Sequence, residues 1–166
     1  MKKLTEYTSY HDAQNEFSIP RLWHLIDGNK EQLNIAHEAV DRHGDSDATA
    51  VCVAHADGGD EFISFGDLSK KSSQLANWLL SIGIKKGDRV GVMIDPCLTF
   101  YAALFGIIKT GAIAVPMFTL FGIDGLKARV DDSGLKVLII SPDKFDMASE
   151  LNGVHVARGD GVFLSD

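Results

Sequence analysis

From Ala48 onward, hydrophobic and polar residues alternate between short apolar runs and helical stripes. "ATAVCVAH" and "EFISF" are two apolar runs joined by the glycine-rich, acidic "ADGGD", a pattern that predicts a β-hairpin. The clearest helix follows it. Ser64 and Asp67 make an S-x-x-D capping box, and the acid also suits the positive end of the helix dipole. Leu68, Leu75, Leu79 and Ile82 share one face, and Gly83 is the expected C-terminal cap.

"KKGD" then turns the chain into "RVGVMI", a continuous apolar run that reads as a buried strand. Asp95-Pro96 opens a second helix, with Leu98, Tyr101, Ala102, Phe105 and Ile108 as its apolar stripe and Gly111 as its stop. A strand "AIAVPMF", a helix over about residues 123–133 and a strand "KVLII" complete the series. Gly125 inside that helix costs about 1 kcal/mol relative to alanine. Strands alternating with helices long enough to cross over predict an α/β fold: a mostly parallel sheet with right-handed βαβ crossovers, plus the hairpin.

Residues 1–48 are more polar and irregular, although "NIAHEAVDRHG" places Ile35, Ala39 and Val40 together before Gly44. This segment is expected to be an extension wrapping the domain, and 49–166 an α/β unit. In open parallel sheets, ligands sit beyond the carboxyl ends of the strands. Phe118 to Gly122 follows such an end directly. Two readings of that turn are open: a ligand surface, or aromatic plugs at the edge of the core.

Composition narrows the classes. The 166 residues suit one domain, with 45% hydrophobic and 23% charged residues, as in globular proteins rather than disordered ones. Sixteen basic against 23 acidic residues give a net charge of −7, which argues against nucleic acid as a partner. No apolar run approaches the ~20 residues of a membrane span. "MKKLTEYTSYHDAQNEF" lacks the apolar core of a signal peptide, so a cytoplasmic location is expected.

Several chemical constellations fail on inspection. Neither G-x-x-x-x-G-K-[ST] nor G-x-G-x-x-G occurs, and "DPC" after the strand "RVGVMI" contains no glycine, against a nucleotide-binding Rossmann domain. Asp41, His43, Asp45 and Asp47 alternate as if to bind calcium. The sixth and twelfth places of such a loop, however, hold Ser46 and Cys52 instead of glycine and glutamate. Cys97 falls near a helix start, but no base is adjacent in sequence. Cys52, between Val51 and Val53, reads as core. No metal site is expected.

Four stretches, taken together and in order, resemble the N-terminal part of AMP-forming acyl-CoA synthetases of the adenylate-forming superfamily. "FISFGDLSKKSSQLANWLLSIGIKKGDRVGVMI" is similar to the family's "T-[FY]-x-E-L" segment, helix and "GD-x-V" strand. "FYAALFGIIKTGAIAVPMF" resembles its "K-x-G-A-x-x-V-P" block. "TLFGIDGLKARVDDSGLKVLIISPDKF" resembles the segment after it in acetyl-CoA-like and medium-chain members, and "LNIAHEAVDRHG" a further mark upstream.

The resemblance implies an ATP-dependent ligase that joins a carboxylic acid to AMP and then to CoA, using Mg²⁺. It also implies that this chain is roughly the first third of such an enzyme. The family's phosphate loop, magnesium-binding glutamate, ribose-binding aspartate and mobile-domain lysine lie in later sequence. The chain by itself is therefore expected to bind no cofactor of its own and to be inactive without the rest of the ligase, in the same or a separate chain. Self-association through exposed apolar surface is a further expectation. By the same resemblance, Phe118, Thr119, Leu120 and Phe121 would form the wall of the CoA and acyl channel, where acetyl-CoA-type relatives often carry glycines. Those relatives carry arginines after the third strand, where "DKFDMASEL" offers only Lys144. A subunit of a split ligase, a non-catalytic interaction domain, and amino-acid adenylation for a carrier protein are the alternatives.

Overall fold

A computed structural model describes residues 2–56 and 58–160. The chain begins with short helical pieces, α1 (Tyr10–Asn15), α2 (Ile19–Leu22) and α3 (Ile35–Ala39). An antiparallel hairpin follows, β1 (Thr49–Ala54) and β2 (Asp60–Ser64), then α4 (Phe65–Ser81) and β3 (Arg89–Met93). The rest is α5 (Leu98–Lys109), β4 (Ile113–Pro116), α6 (Ile123–Ser133), β5 (Val137–Ile140), α7 (Phe145–Ala148) and β6 (His155–Arg158).

Strands β4-β3-β5-β6 form one sheet in that order, every pair parallel. The expected α/β architecture with a separate hairpin is therefore the observed one. The connection from β3 to β4 runs one way along the sheet and that from β4 to β5 runs back past β3. Two crossovers of one hand in opposite directions put their helices on opposite faces, and alternate strand residues divide accordingly. Val90, Val92, Val137 and Ile139 pack with Leu75, Leu79, Ala103 and Ile107 of α4 and α5. Met93, Leu138 and Ile140 pack with Leu126 and Val130 of α6 and with Ala148. Each fully buried leucine here contributes about 1.5–3 kcal/mol relative to an exposed one.

Helix α4 starts as its sequence dictates. The Asp67 N–H donates to Ser64 Oγ at 3.0 Å, and the Ser64 hydroxyl donates back to Asp67 Oδ2 at 2.7 Å. At its end Gly83, with φ of +88°, lets its own N–H reach the Leu80 carbonyl and the Ile84 N–H reach that of Leu79. The apolar stripe is corrected at its end: Ile82 is 40% exposed, and buried Ile84, just beyond the helix, takes the place beside Leu79.

Helix α5 starts at Leu98, two residues beyond Pro96, after an extended Cys97. It is buried on two faces rather than one. The expected stripe, through Leu98, Tyr101 and Phe105, meets Val40, Val53, Ile63 and Leu68. A second face of Ala103, Gly106 and Ile107 is also buried and faces α4 and the sheet. A Cβ on Gly106 would lie 2.8 Å from the Ser72 carbonyl oxygen, so this glycine sets how closely α4 and α5 approach.

The first 48 residues are fastened by polar contacts. Asn34 accepts from the Ala36 N–H at 2.9 Å to cap α3, and its amide donates 3.0 Å to the Ile108 carbonyl at the end of α5. Asp41 accepts from Ser69 Oγ at 2.7 Å and pairs with Lys109 Nζ at 2.6 Å. Asp41, the first residue of the calcium-like "DRHGDSD", is thus engaged by a lysine, and among the described residues no three His, Cys, Asp or Glu side chains group to hold a metal. The Glu38 carboxylate accepts from the N–H groups of Asp27 and Gly28 and pairs with Arg42.

One further expectation is corrected. Cys52 is exposed, because alternation along β1 turns it away from the face that buries Val53; it lies opposite exposed Phe62. Strand β6 had no expectation at all: "HVAR" is short and half polar. Among the described residues, no helix is long and apolar enough to cross a membrane.

Candidate functional site

Strands β3 and β4 are neighbours in register, Val92 opposite Pro116, so the residues after them emerge side by side at one edge of the sheet. There they enclose a groove of about 280 Å³. Ile94, Pro96 and Phe100 contribute from β3 and the start of α5, and Pro116, Met117 and Phe118 from β4 and the turn after it. Asp95 and Thr119 supply its polar atoms, with the Thr119 hydroxyl 2.7 Å from Asp95 Oδ1. Short β4, ending at Pro116 on the sheet's edge, lets the turn fold over this end. Proline is tolerated on an edge strand, where one amide fewer is needed.

The four residues singled out from the sequence divide. Phe118 and Thr119 line the groove, while Leu120 is 94% exposed and does not. Phe121 packs partly into the cluster around Leu126 and Met117, its ring edge-on to Phe118 at 5.9 Å. Of the two open readings, the core-plug one therefore describes Phe121, whereas Phe118 stays 76% exposed.

Sequence reasoning missed Asp95 and Phe100 as partners of this turn, since their separation from it carries no local pattern. It also missed Arg129, whose guanidinium stacks over Phe121 at 3.7 Å while donating to the Gly125 carbonyl at 2.8 Å. The i, i+4 spacing of Phe121, Gly125 and Arg129 would have been the available clue.

The electrostatics are unusual for a site at strand ends. Among the described residues no lysine, arginine or histidine lines the groove. The N-terminus of α5, a ready anion site in many α/β proteins, is already engaged: the Leu98 N–H donates to Glu61 Oε1 of the hairpin at 3.2 Å. Other cations are committed elsewhere, Lys127 to Glu150, Lys136 to Asp88, Lys144 to Asp143 and Arg158 to Asp160. Cys97 packs partly buried against the cluster of Leu75 and Val92 and does not line the groove. The groove can hold a slender, largely apolar group and offer it one carboxylate acceptor. Among the described residues of its lining, none carries the positive charge that would neutralise phosphate.

A doubly wound α/β unit with its groove at the carboxyl ends of two parallel strands defines the class. Residues 36–163 match the family described as AMP-binding enzyme, and the chain belongs to that family. It is 35% identical over 115 residues to the acetyl-coenzyme A synthetase of Bacillus subtilis (strain 168), covering 68% of this chain and 20% of that enzyme. With the acetyl-coenzyme A synthetase of Streptomyces avermitilis it shares 31% identity over 139 residues, 79% of this chain and 21% of the other. The crystal structure of an acyl-CoA synthetase of Brucella canis superposes with a TM-score of 0.79 at 28% identity, over 90% of this chain and 28% of that one. The matched part of the chain spans about a fifth of the length of these curated relatives.

Proposed function

We propose that this chain forms the first α/β platform of an AMP-forming acid–thiol ligase, and that the groove at the ends of β3 and β4 flanks the path of the acyl group and the thiol arm of CoA. The observation that carries this reading is the chemistry of the groove among the described residues: mostly apolar walls, a single carboxylate, no cation, and a helix N-terminus already engaged by Glu61. The similarity to acetyl-coenzyme A synthetases supports thioester formation as the reaction rather than transfer of an amino acid to a carrier protein.

In the complete reaction a carboxylate attacks the α-phosphate of ATP and pyrophosphate leaves; the CoA thiol then attacks the acyl carbonyl and AMP leaves. The first step brings two anions together and needs metal ions or fixed cations where charge develops. The described residues of this chain supply walls and positioning, while the phosphate chemistry comes from the remainder of the ligase, in the same chain or another. The isolated chain should catalyse no carboxylate-dependent ATP–pyrophosphate exchange above a heat-killed control. Exchange by the chain alone would overturn the proposal. In the whole ligase, Leu120→Trp next to the groove should raise KM for CoA, and an unchanged KM would count against a thiol path along this turn.

A further inference from the structure

We propose that Asp95 sets the selectivity of the groove: its second carboxylate oxygen accepts an amide N–H from the entering thiol arm and keeps the phosphate end of CoA out. The inference rests on the reading that the groove flanks the thiol path, and it assigns the recognising atom. Thr119 donates to Asp95 Oδ1 at 2.7 Å, so the carboxylate is held at the end of β3 and the threonine hydroxyl is engaged. Among the described residues Oδ2 of this exposed acid has no hydrogen-bond partner. Among the described residues it is the one charged acceptor in a lining otherwise apolar except for Thr119.

Size and charge select the occupant. At about 280 Å³ the groove lies at the small end of ligand sites, roughly 300–1,000 Å³, and encloses a narrow chain rather than a nucleotide. The pantetheine arm of CoA is such a chain, neutral, partly apolar and carrying two amides. An amide N–H on a carboxylate makes a charge-assisted hydrogen bond, about twice as strong as a neutral one. A phosphate would meet Asp95 with no cation among the described lining residues to offset it, and the nearby start of α5 holds a second carboxylate, Glu61.

The test is titration of the ¹⁵N-labelled chain with pantetheine, with 3′-phosphoadenosine 5′-diphosphate, and with hexanethiol, following the amides of residues 94–100 and 116–122. Pantetheine should shift these amides and the phosphorylated nucleoside should not. Asp95→Asn still offers Thr119 an acceptor but can turn an NH₂ outward; because the side chain is exposed, the spectrum should otherwise be unchanged. It should weaken pantetheine at least about tenfold and leave hexanethiol unaffected. Equal pantetheine affinity in both chains would overturn the role of Asp95 while leaving the thiol-path reading intact. Equal loss for hexanethiol would overturn it too, since the effect would then be one of groove shape. If pantetheine shifts none of these amides, both the selectivity and the thiol-path reading fall.

Discussion

Lys109 Nζ lies 2.6 Å from Asp41 Oδ1 and also donates to the Ser69 carbonyl at 3.0 Å and to Ser73 Oγ at 2.8 Å. One ammonium therefore ties the last turn of α5 to α4 and to the segment before β1. The lysine side chain is only 10% exposed and the aspartate 29%, so this pair is better shielded from solvent than an ordinary surface ion pair. Lys109→Met leaves Asp41 with Ser69 alone and should destabilise the chain by about 1–3 kcal/mol. Urea denaturation monitored by circular dichroism would measure it, and a change under 0.5 kcal/mol, the size of a typical surface substitution, would mean that the first 48 residues are held by other contacts.

Two helical glycines should respond to alanine in opposite directions. A Cβ at Gly106 meets Leu75 and the Ser72 carbonyl oxygen at 2.8 Å, and a backbone atom cannot yield cheaply. Gly106→Ala should cost about 1–3 kcal/mol. At Gly125 the nearest atoms, from Arg129 and Phe121, lie 3.7–3.8 Å away. Gly125→Ala should therefore stabilise by about 0.5–1 kcal/mol through helix propensity. Paired thermal melts would read both signs at once; a stabilising Gly106→Ala would mean that α4 and α5 are less tightly apposed than described.

Acid should loosen the molecule through two carboxylates. The Lys136 ammonium and then the Lys85 N–H hold Asp88 below the ordinary carboxylate range, against a smaller opposing effect of burial. For Glu38, burial pushes upward, but the N–H groups of Asp27 and Gly28 together with Arg42 outweigh it and the net shift is also downward. A folded-state pKa below the unfolded one means that the unfolded chain binds more protons between the two values. The stabilisation is therefore fully present above the ordinary range, about pH 4, and is lost as pH falls through the folded-state values. Urea midpoints measured from neutral pH down into that range should decline, and Lys136→Met should flatten the decline while lowering the midpoint at neutral pH. A variant as steep as the parent would remove Asp88 from the account.

What the sequence made legible was whatever leaves a local trace. The hairpin, the Ser64–Asp67 cap, the stop at Gly83 and the two buried strands β3 and β5 all follow from period, capping chemistry or glycine. Helix α5 was half legible, because a single-stripe reading cannot anticipate a helix clasped between the hairpin and the sheet, where Ala103 and Gly106 are as buried as any leucine. Asp95 with Thr119 and Glu61 with Leu98 were illegible: 24 and 37 residues separate the partners, and only the folded sheet brings them together. Several residues that carried the family resemblance prove to be fasteners, Asn34 as a cap and latch, and Asp41 and Arg42 as ion-pair partners.

Pro116 has a consequence beyond ending β4. The amides of Ile113 and Met117 donate toward β3, to Asp88 and Val92. By alternation, residues 114 and 116 direct their nitrogens away from the sheet. Proline at the second of these removes a donor from the outer rim, leaving Ala114 as the sole outward amide of the strand. A stray strand approaching that margin finds one of the two amide donors it would otherwise meet, so β4 is guarded against edge-to-edge pairing by one ring that cannot donate.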